Sequence, residues 1–189
     1  MKNFLFIFAA IGLVSLSACN RQVKKERIQR IDSLGVHLNY VGERLQELDE
    51  QLLENRRSEI DHLSSWVWDN VEDTLPKKQG LAFGDLMRST KYLKKTQSQY
   101  KEVADEYNYS QEQLKTLRKD VENSFYSEEE FNGYFRTEAR SIDALVKASD
   151  ELKTNYEYSN ERYEKYKPTV DALVDSIKAV IYSDEPIRK

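Results

Sequence analysis

Cysteine occurs once in these 189 residues, histidine twice, proline three times and glycine six times. A single cysteine excludes a disulfide framework, which needs pairs. It also excludes any zinc site built on two thiolates. The histidines, His37 and His62, stand 25 residues apart on what reads as one helix. That separation is about 37 Å, too far to share a metal. The stretch Gly80-Leu81-Ala82-Phe83-Gly84 has neither the lysine nor the spacing of a phosphate-binding loop. With so few breakers, and 33% charged residues against 39% apolar ones, the composition points to long solvated helices rather than a compact α/β fold. A formal net charge of −4 gives no reason to expect nucleic-acid binding. Acidic runs such as Glu128 to Glu130 are explained by helix capping. No catalytic residue, metal or cofactor is therefore expected, and the chain reads as a protein that is not an enzyme.

No apolar stretch reaches the roughly 20 residues that a membrane-spanning helix needs. The longest, Phe4 to Val14, follows one basic residue, Lys2, and fits the hydrophobic region of an export signal. It is apolar on every face from Phe4 to Phe8, which argues against an amphipathic first helix. It ends at Leu16-Ser17-Ala18-Cys19. This beginning resembles a bacterial lipoprotein signal peptide, and Leu-Ser-Ala-Cys resembles its cleavage motif. The resemblance covers about the first tenth of the chain and bears on location, not activity. It implies a signal peptide over residues 1–18 and a mature chain starting at Cys19, with acyl chains on the cysteine sulfur and amine. Two or more chains hold a protein firmly, where one does not. In Gram-negative lipoproteins an aspartate after the cysteine commonly signals inner-membrane retention. Asn20 here leans toward the outer membrane, and the basic residues that follow lean toward its periplasmic side. The cell surface is the alternative.

Residues 19–23 read as a lipidated tether. Arg21, Lys24, Lys25, Arg27 and Arg30 face only Glu26 in this region, and are read as a seat on anionic headgroups. The seat's alternative is a solvated helix start.

The remaining pattern predicts an all-α fold: a long antiparallel three-helix bundle over residues 24–183, coiled-coil-like, with a kinked C-terminal helical extension and a disordered 184–189 tail. A first helix is expected from Lys24 to Val71, on the seam Ile31, Leu34, Leu38, Val41, Leu45, Leu48 and Leu52. Polar residues Glu54 to Glu59 interrupt it, and Ile60, Leu63 and Val67 resume it one residue out of step. A main loop is expected over residues 73–84, with Asp85 capping a second helix that runs to Phe125. Its seam relies on tyrosines and on small polar residues such as Ser89, Thr96 and Ser110. Ser127 with Glu130 forms a capping-box pattern for a third helix. Pro168 lies inside that helix on its outward face, where it can bend the helix without breaking it.

Two places carry the candidate protein contacts. At the loop, Trp66 and Trp68 point to nearly opposite sides of a helix, so one is expected at a surface beside Leu81 and Phe83, the alternative being that these aromatics plug the end of the bundle. Beyond Pro168, a segment expected to overshoot the bundle carries Val170, Leu173, Val174, Ile177, Val180 and Ile181. That face either folds back on the tip or meets a second copy or a partner. A third place, a layer of Arg56 or Arg57 with tyrosines, either fixes helix register or cradles a small ligand. The expected function is a lipid-anchored envelope protein acting as a structural or adaptor module through its distal surface. A surface-exposed adhesin is the alternative, and a small-ligand carrier is the least favoured reading.

Overall fold

A computed structural model of the chain describes the backbone of residues 2–72 and 74–183, and the side chains of residues 21–72 and 74–181. The side chains of the expected 1–18 leader and of Cys19 lie outside the described residues, as does the 184–189 tail. Four helices follow in order: α1 (Lys2–Gln46), α2 (Glu50–Asn70), α3 (Lys77–Glu122) and α4 (Glu128–Ser183). The fold is an all-α helical bundle in which α1 and α2 share the place of the first of three helices. Among the described residues no helix is long and apolar enough to cross a membrane.

The chain groups into two compact units, Met1–Glu43 with Ala104–Lys147, and Arg44–Val103 with Ala148–Lys189. In the first, α1 buries Ile31, Leu34, Leu38 and Val41. The same unit buries Leu114, Leu117 and Val121 of α3, and Phe131, Ile142 and Leu145 of α4. Gly42 is buried where α1 and α3 approach closely: a Cβ there would lie 2.6 Å from the Tyr107 hydroxyl. The turn from α3 to α4 passes through Ser124, whose φ of 60° is left-handed. The expected capping box closes it: Glu130 N–H donates to Ser127 Oγ at 3.3 Å, and Ser127 N–H donates to Glu130 Oε2 at 2.9 Å. The second helix of the expected pattern thus ends at Glu122 rather than Phe125.

In the second unit one cluster joins Leu53, Ile60 and Val67 of α2, Ala82, Phe83, Leu86 and Leu93 of α3, and Tyr163, Val170 and Val174 of α4. Trp66, Val71 and Leu75 pack against it. Three expectations are corrected here. First, the interruption lies at residues 47–49, not at Glu54 to Glu59. Asp49 caps α2, accepting from Leu52 N–H at 2.9 Å, while its own N–H donates to Tyr156 Oη at 3.3 Å. The seam steps from Leu48 to Leu53, one residue more than a helix can absorb on one face, and the break supplies that residue. Leu53 is fully buried, and Leu52, the expected seam residue, is only half-buried. Second, α3 starts at Lys77, two turns before Asp85. Pro76 opens it naturally, since its carbonyl accepts from Gly80 N–H at 2.9 Å and its fixed φ suits a helix start. Third, the α4 segment past Pro168 does not overshoot. The longer α3 gives it a surface to pack on, and Val170, Leu173 and Val174 are buried. Pro168 itself is exposed within a helix that continues to Ser183.

Candidate functional site

The site is built where α2 gives way to α3 and α4 runs alongside. The six-residue connection after Asn70 carries two apolar residues, Val71 and Leu75, that turn inward rather than staying in the loop. Their inner surfaces meet the cluster. Their outer surfaces, with Pro76, Ile177, Val180 and Ile181, line an open groove of about 560 Å³. Asn70, Glu72, Thr74 and Ser176 complete its lining, so the groove is apolar along its floor with polar groups among its walls. A second groove of about 480 Å³ lies on the other side of Leu173 and Ser176, between Lys78 and Gln79 of α3 and Pro168, Thr169 and Ala172 of α4.

The expected contact residues separate by depth. Phe83, Val170, Leu173 and Val174 are committed to the core. Trp66 is half-buried under the Lys178 ammonium, which sits 5.2 Å from its ring centre. Trp68 is 73% exposed and touches Phe83 only edge-on, at 6.2 Å between centroids. Leu81 and Val180 are exposed, Ile181 is partly so, and Ile177 is half-buried. Sequence reasoning missed Val71, which it placed at the end of a helix beside a long loop, whereas Leu75 was among the tip residues on which the C-terminal face could fold back. The usable signal was Pro76, a residue that opens helices.

The polar residues nearby mostly find partners within the protein, Arg57 Nε being a buried exception. Arg56 Nη1 donates to Asn160 Oδ1 at 2.6 Å, Arg56 Nη2 pairs with Glu164, and the guanidinium stacks 4.5 Å over Tyr163. Tyr163 Oη donates to Glu59, which also pairs with Lys167 Nζ at 2.8 Å. Burial pushes the Tyr163 hydroxyl up, the Glu59 carboxylate beside it adds to the effect, and the result is about 12. Glu59 is raised by burial but more than compensated by hydrogen bonds from Lys167 and Tyr163, so its carboxyl stays below the usual range. Arg57 bridges Gln97 at 3.0 Å and Glu54 at 2.8 Å. Arg56 thus lies level with Asn160 to Glu164 of α4. Each guanidinium already has acceptors from the chain itself, which is what a register layer requires and a ligand cradle does not.

The basic residues after Cys19 are divided in their roles. Lys24 Nζ donates to the Glu122 carbonyl at 2.7 Å, and Arg27 Nη1 to the Tyr126 carbonyl at 3.0 Å. Arg30 donates to Asn132 Oδ1 at 2.9 Å. Arg21 and Lys25 are exposed. Among the described residues no group of three or more His, Cys, Asp or Glu side chains could hold a metal ion. His37 and His62 are both exposed. Comparison with known proteins finds no matching family, no similar curated protein and no similar solved structure.

Proposed function

We propose that the chain is a lipid-anchored protein of the bacterial envelope that acts as an adaptor, binding a protein partner through the groove between the α2–α3 connection and the end of α4. The observation that carries this reading is the apolar lining of that groove, left open beside a well-filled core. Val180, 61% exposed, and Ile181 extend the apolar surface, and Trp68 and Leu81 are exposed in the same unit. Contacts between proteins concentrate on such anchors, tryptophan above all. The anchor itself rests on the Leu16–Cys19 motif. An outer-membrane position facing the periplasm is the preferred placement, with the cell surface as the alternative.

The test is site-specific photo-crosslinking in intact cells from position 180, with position 36 as an exposed control in the other unit. One envelope protein should be captured from position 180 and not from 36, and Ile177→Glu should abolish the capture. No adduct from 180, or equal capture from 36, would remove the adaptor reading. The anchor is tested apart: Cys19→Ala should release the chain from the membrane fraction.

A further inference from the structure

The turn between α3 and α4 leaves its largest apolar side chain in water. Phe125 is 68% exposed, while Phe131, six residues on, is 1% exposed. The contrast comes from α1. The guanidinium carbons of Arg27 and Arg30 both lie 5.0 Å from the Phe131 ring centre, and Arg30 lies 4.2 Å from that of Phe135. Lys24 and Arg27 bind the carbonyls of Glu122 and Tyr126, groups that a helix end and a turn leave without backbone partners. These bonds fasten the turn to residues 24–27 of α1. Phe125 stands between the two fastened carbonyls in sequence and remains uncovered. Tyr134, 53% exposed, packs at a tilt on Tyr126, the residue after Phe125, with 4.9 Å between ring centres.

Position along the chain says what covers this surface. Lys24 is five residues after Cys19, and five residues reach at most about 18 Å even when fully extended. With Cys19 lipidated, the turn is therefore held within about that distance of the bilayer surface. Charge alone does not account for a contact there. Residues 21–30 carry five basic side chains and one acidic, but residues 118–130 carry two basic and five acidic, leaving an excess of one positive charge. Tyrosine settles at the level of the headgroups, its ring buried and its hydroxyl wet, and phenylalanine serves as an apolar anchor of segments that lie in the interface.

We infer that the α3–α4 turn is a second membrane contact, in which Phe125, flanked by Tyr134, enters the headgroup region of the bilayer that holds Cys19. This rests on the anchor proposed above. It gives the basic residues a different task from a simple electrostatic seat: Lys24 and Arg27 hold an aromatic contact in place.

The test uses the full chain reconstituted in vesicles of three parts phosphatidylethanolamine to one part phosphatidylglycerol, with a nitroxide on Phe125→Cys. The control is Val36→Cys, also 68% exposed and twelve residues beyond Lys24 on the same helix, about 18 Å further along. Collision with oxygen, which dissolves in lipid, is compared with collision with a water-soluble nickel complex. Oxygen should dominate at position 125 and nickel at position 36. Equal nickel access at both positions would overturn the inference. So would spin–spin broadening at 125, which would assign the turn to a second copy of the chain. Cys19 is the only native cysteine, so a lipidated chain takes one label and an unlipidated chain takes two. One label with position 125 in water refutes the turn contact and leaves the anchor standing. Two labels refute the anchor, and the turn contact that rests on it falls with it.

Discussion

Leu52 and Leu53 are adjacent and chemically identical, yet α2 uses them differently. Leu53 is 0% exposed and sits in the cluster with Ile60, Leu86 and Leu93. Leu52 is half-buried, and its N–H is the one that Asp49 caps. Truncating Leu53 to alanine removes its transfer energy and leaves a cavity among residues that cannot all move in. For a leucine this deep the cost is about 2–5 kcal/mol. Leu52→Ala gives up only part of a side chain's transfer energy and opens no closed void, a cost of roughly 1 kcal/mol. Trp66 and Trp68 lie in the same unit as both leucines, so tryptophan fluorescence in urea follows the unfolding of that unit. With a slope of about 1–3 kcal/mol per molar urea, a loss near 3 kcal/mol lowers the midpoint by about 1–3 M. The Leu52 change should lower it by roughly a third as much. Equal shifts, or a larger one for Leu52, would refute the argument. They would return the break in the seam to Glu54 to Glu59, with α2 and α1 in one continuous register.

Three further outcomes are expected. Gly35→Ala should stabilise the first unit by about 0.5–1 kcal/mol, because a methyl group there meets nothing within 4 Å and alanine is the better helix former. Gly42→Ala should not, because the Tyr107 ring must move from the buried approach; thermal melts by circular dichroism compare the two. Tyr163→Phe should flatten the alkaline loss of stability of the second unit. The folded hydroxyl titrates at about 12 against an ordinary 10.0, so its contribution is whole below pH 10 and fades as pH climbs to 12. An unchanged fluorescence midpoint profile between those values would count against it. Ser127→Ala should cost about 1 kcal/mol, since it removes one half of the capping box and leaves Glu130 to bind the residue 127 N–H. A loss within measurement error would show that the turn holds α4 without its cap.

The helical class was legible because the apolar residues of α1 recur three and four apart and the later seams every seven. The Ser127–Glu130 box was legible because two side chains three residues apart suffice to make it. The break at 47–49 was hidden for a physical reason. Leu52 continues the seam of Leu45 and Leu48 while Leu53 begins that of Ile60 and Val67, and only packing against α3 and α4 decides where one gives way to the other. The same holds at Asp85, which has the right chemistry for a cap. In the folded chain it instead accepts from Arg88 at 2.7 Å and from Arg162 at 2.9 Å. Of the candidate contacts, spacing on one helix made it legible that one of Trp66 and Trp68 stays exposed, but not which. The burial of Phe83, Val170 and Val174 was legible as one of two outcomes for the C-terminal face, but the start of α3 at Lys77, which supplies the surface, was not. Phe125 drew no notice in the sequence, since exposure at a turn depends on neighbours a hundred residues away.

The distribution of polar and apolar material in the second unit bears on how the groove can be probed. Ser89, Thr96 and Ser159 are fully buried, and Thr96 meets Ser159 at 3.4 Å, so this stretch of the interior has little apolar volume to give. Its helices are aligned by part-buried pairs instead: Arg56 with Glu164, Lys167 with Glu59, and Arg162 with Asp85. Such pairs, with acidic partners that are partly in water, add modestly to stability. The apolar contribution is concentrated in the cluster from Leu53 to Val174, which is filled without help from Val180 or Ile181. Substituting those two residues therefore disturbs neither the apolar core nor the polar alignment. A change in partner capture from Val180→Ser or Ile181→Ser can be read as a change in binding. The same substitution at Val174 confounds binding with folding.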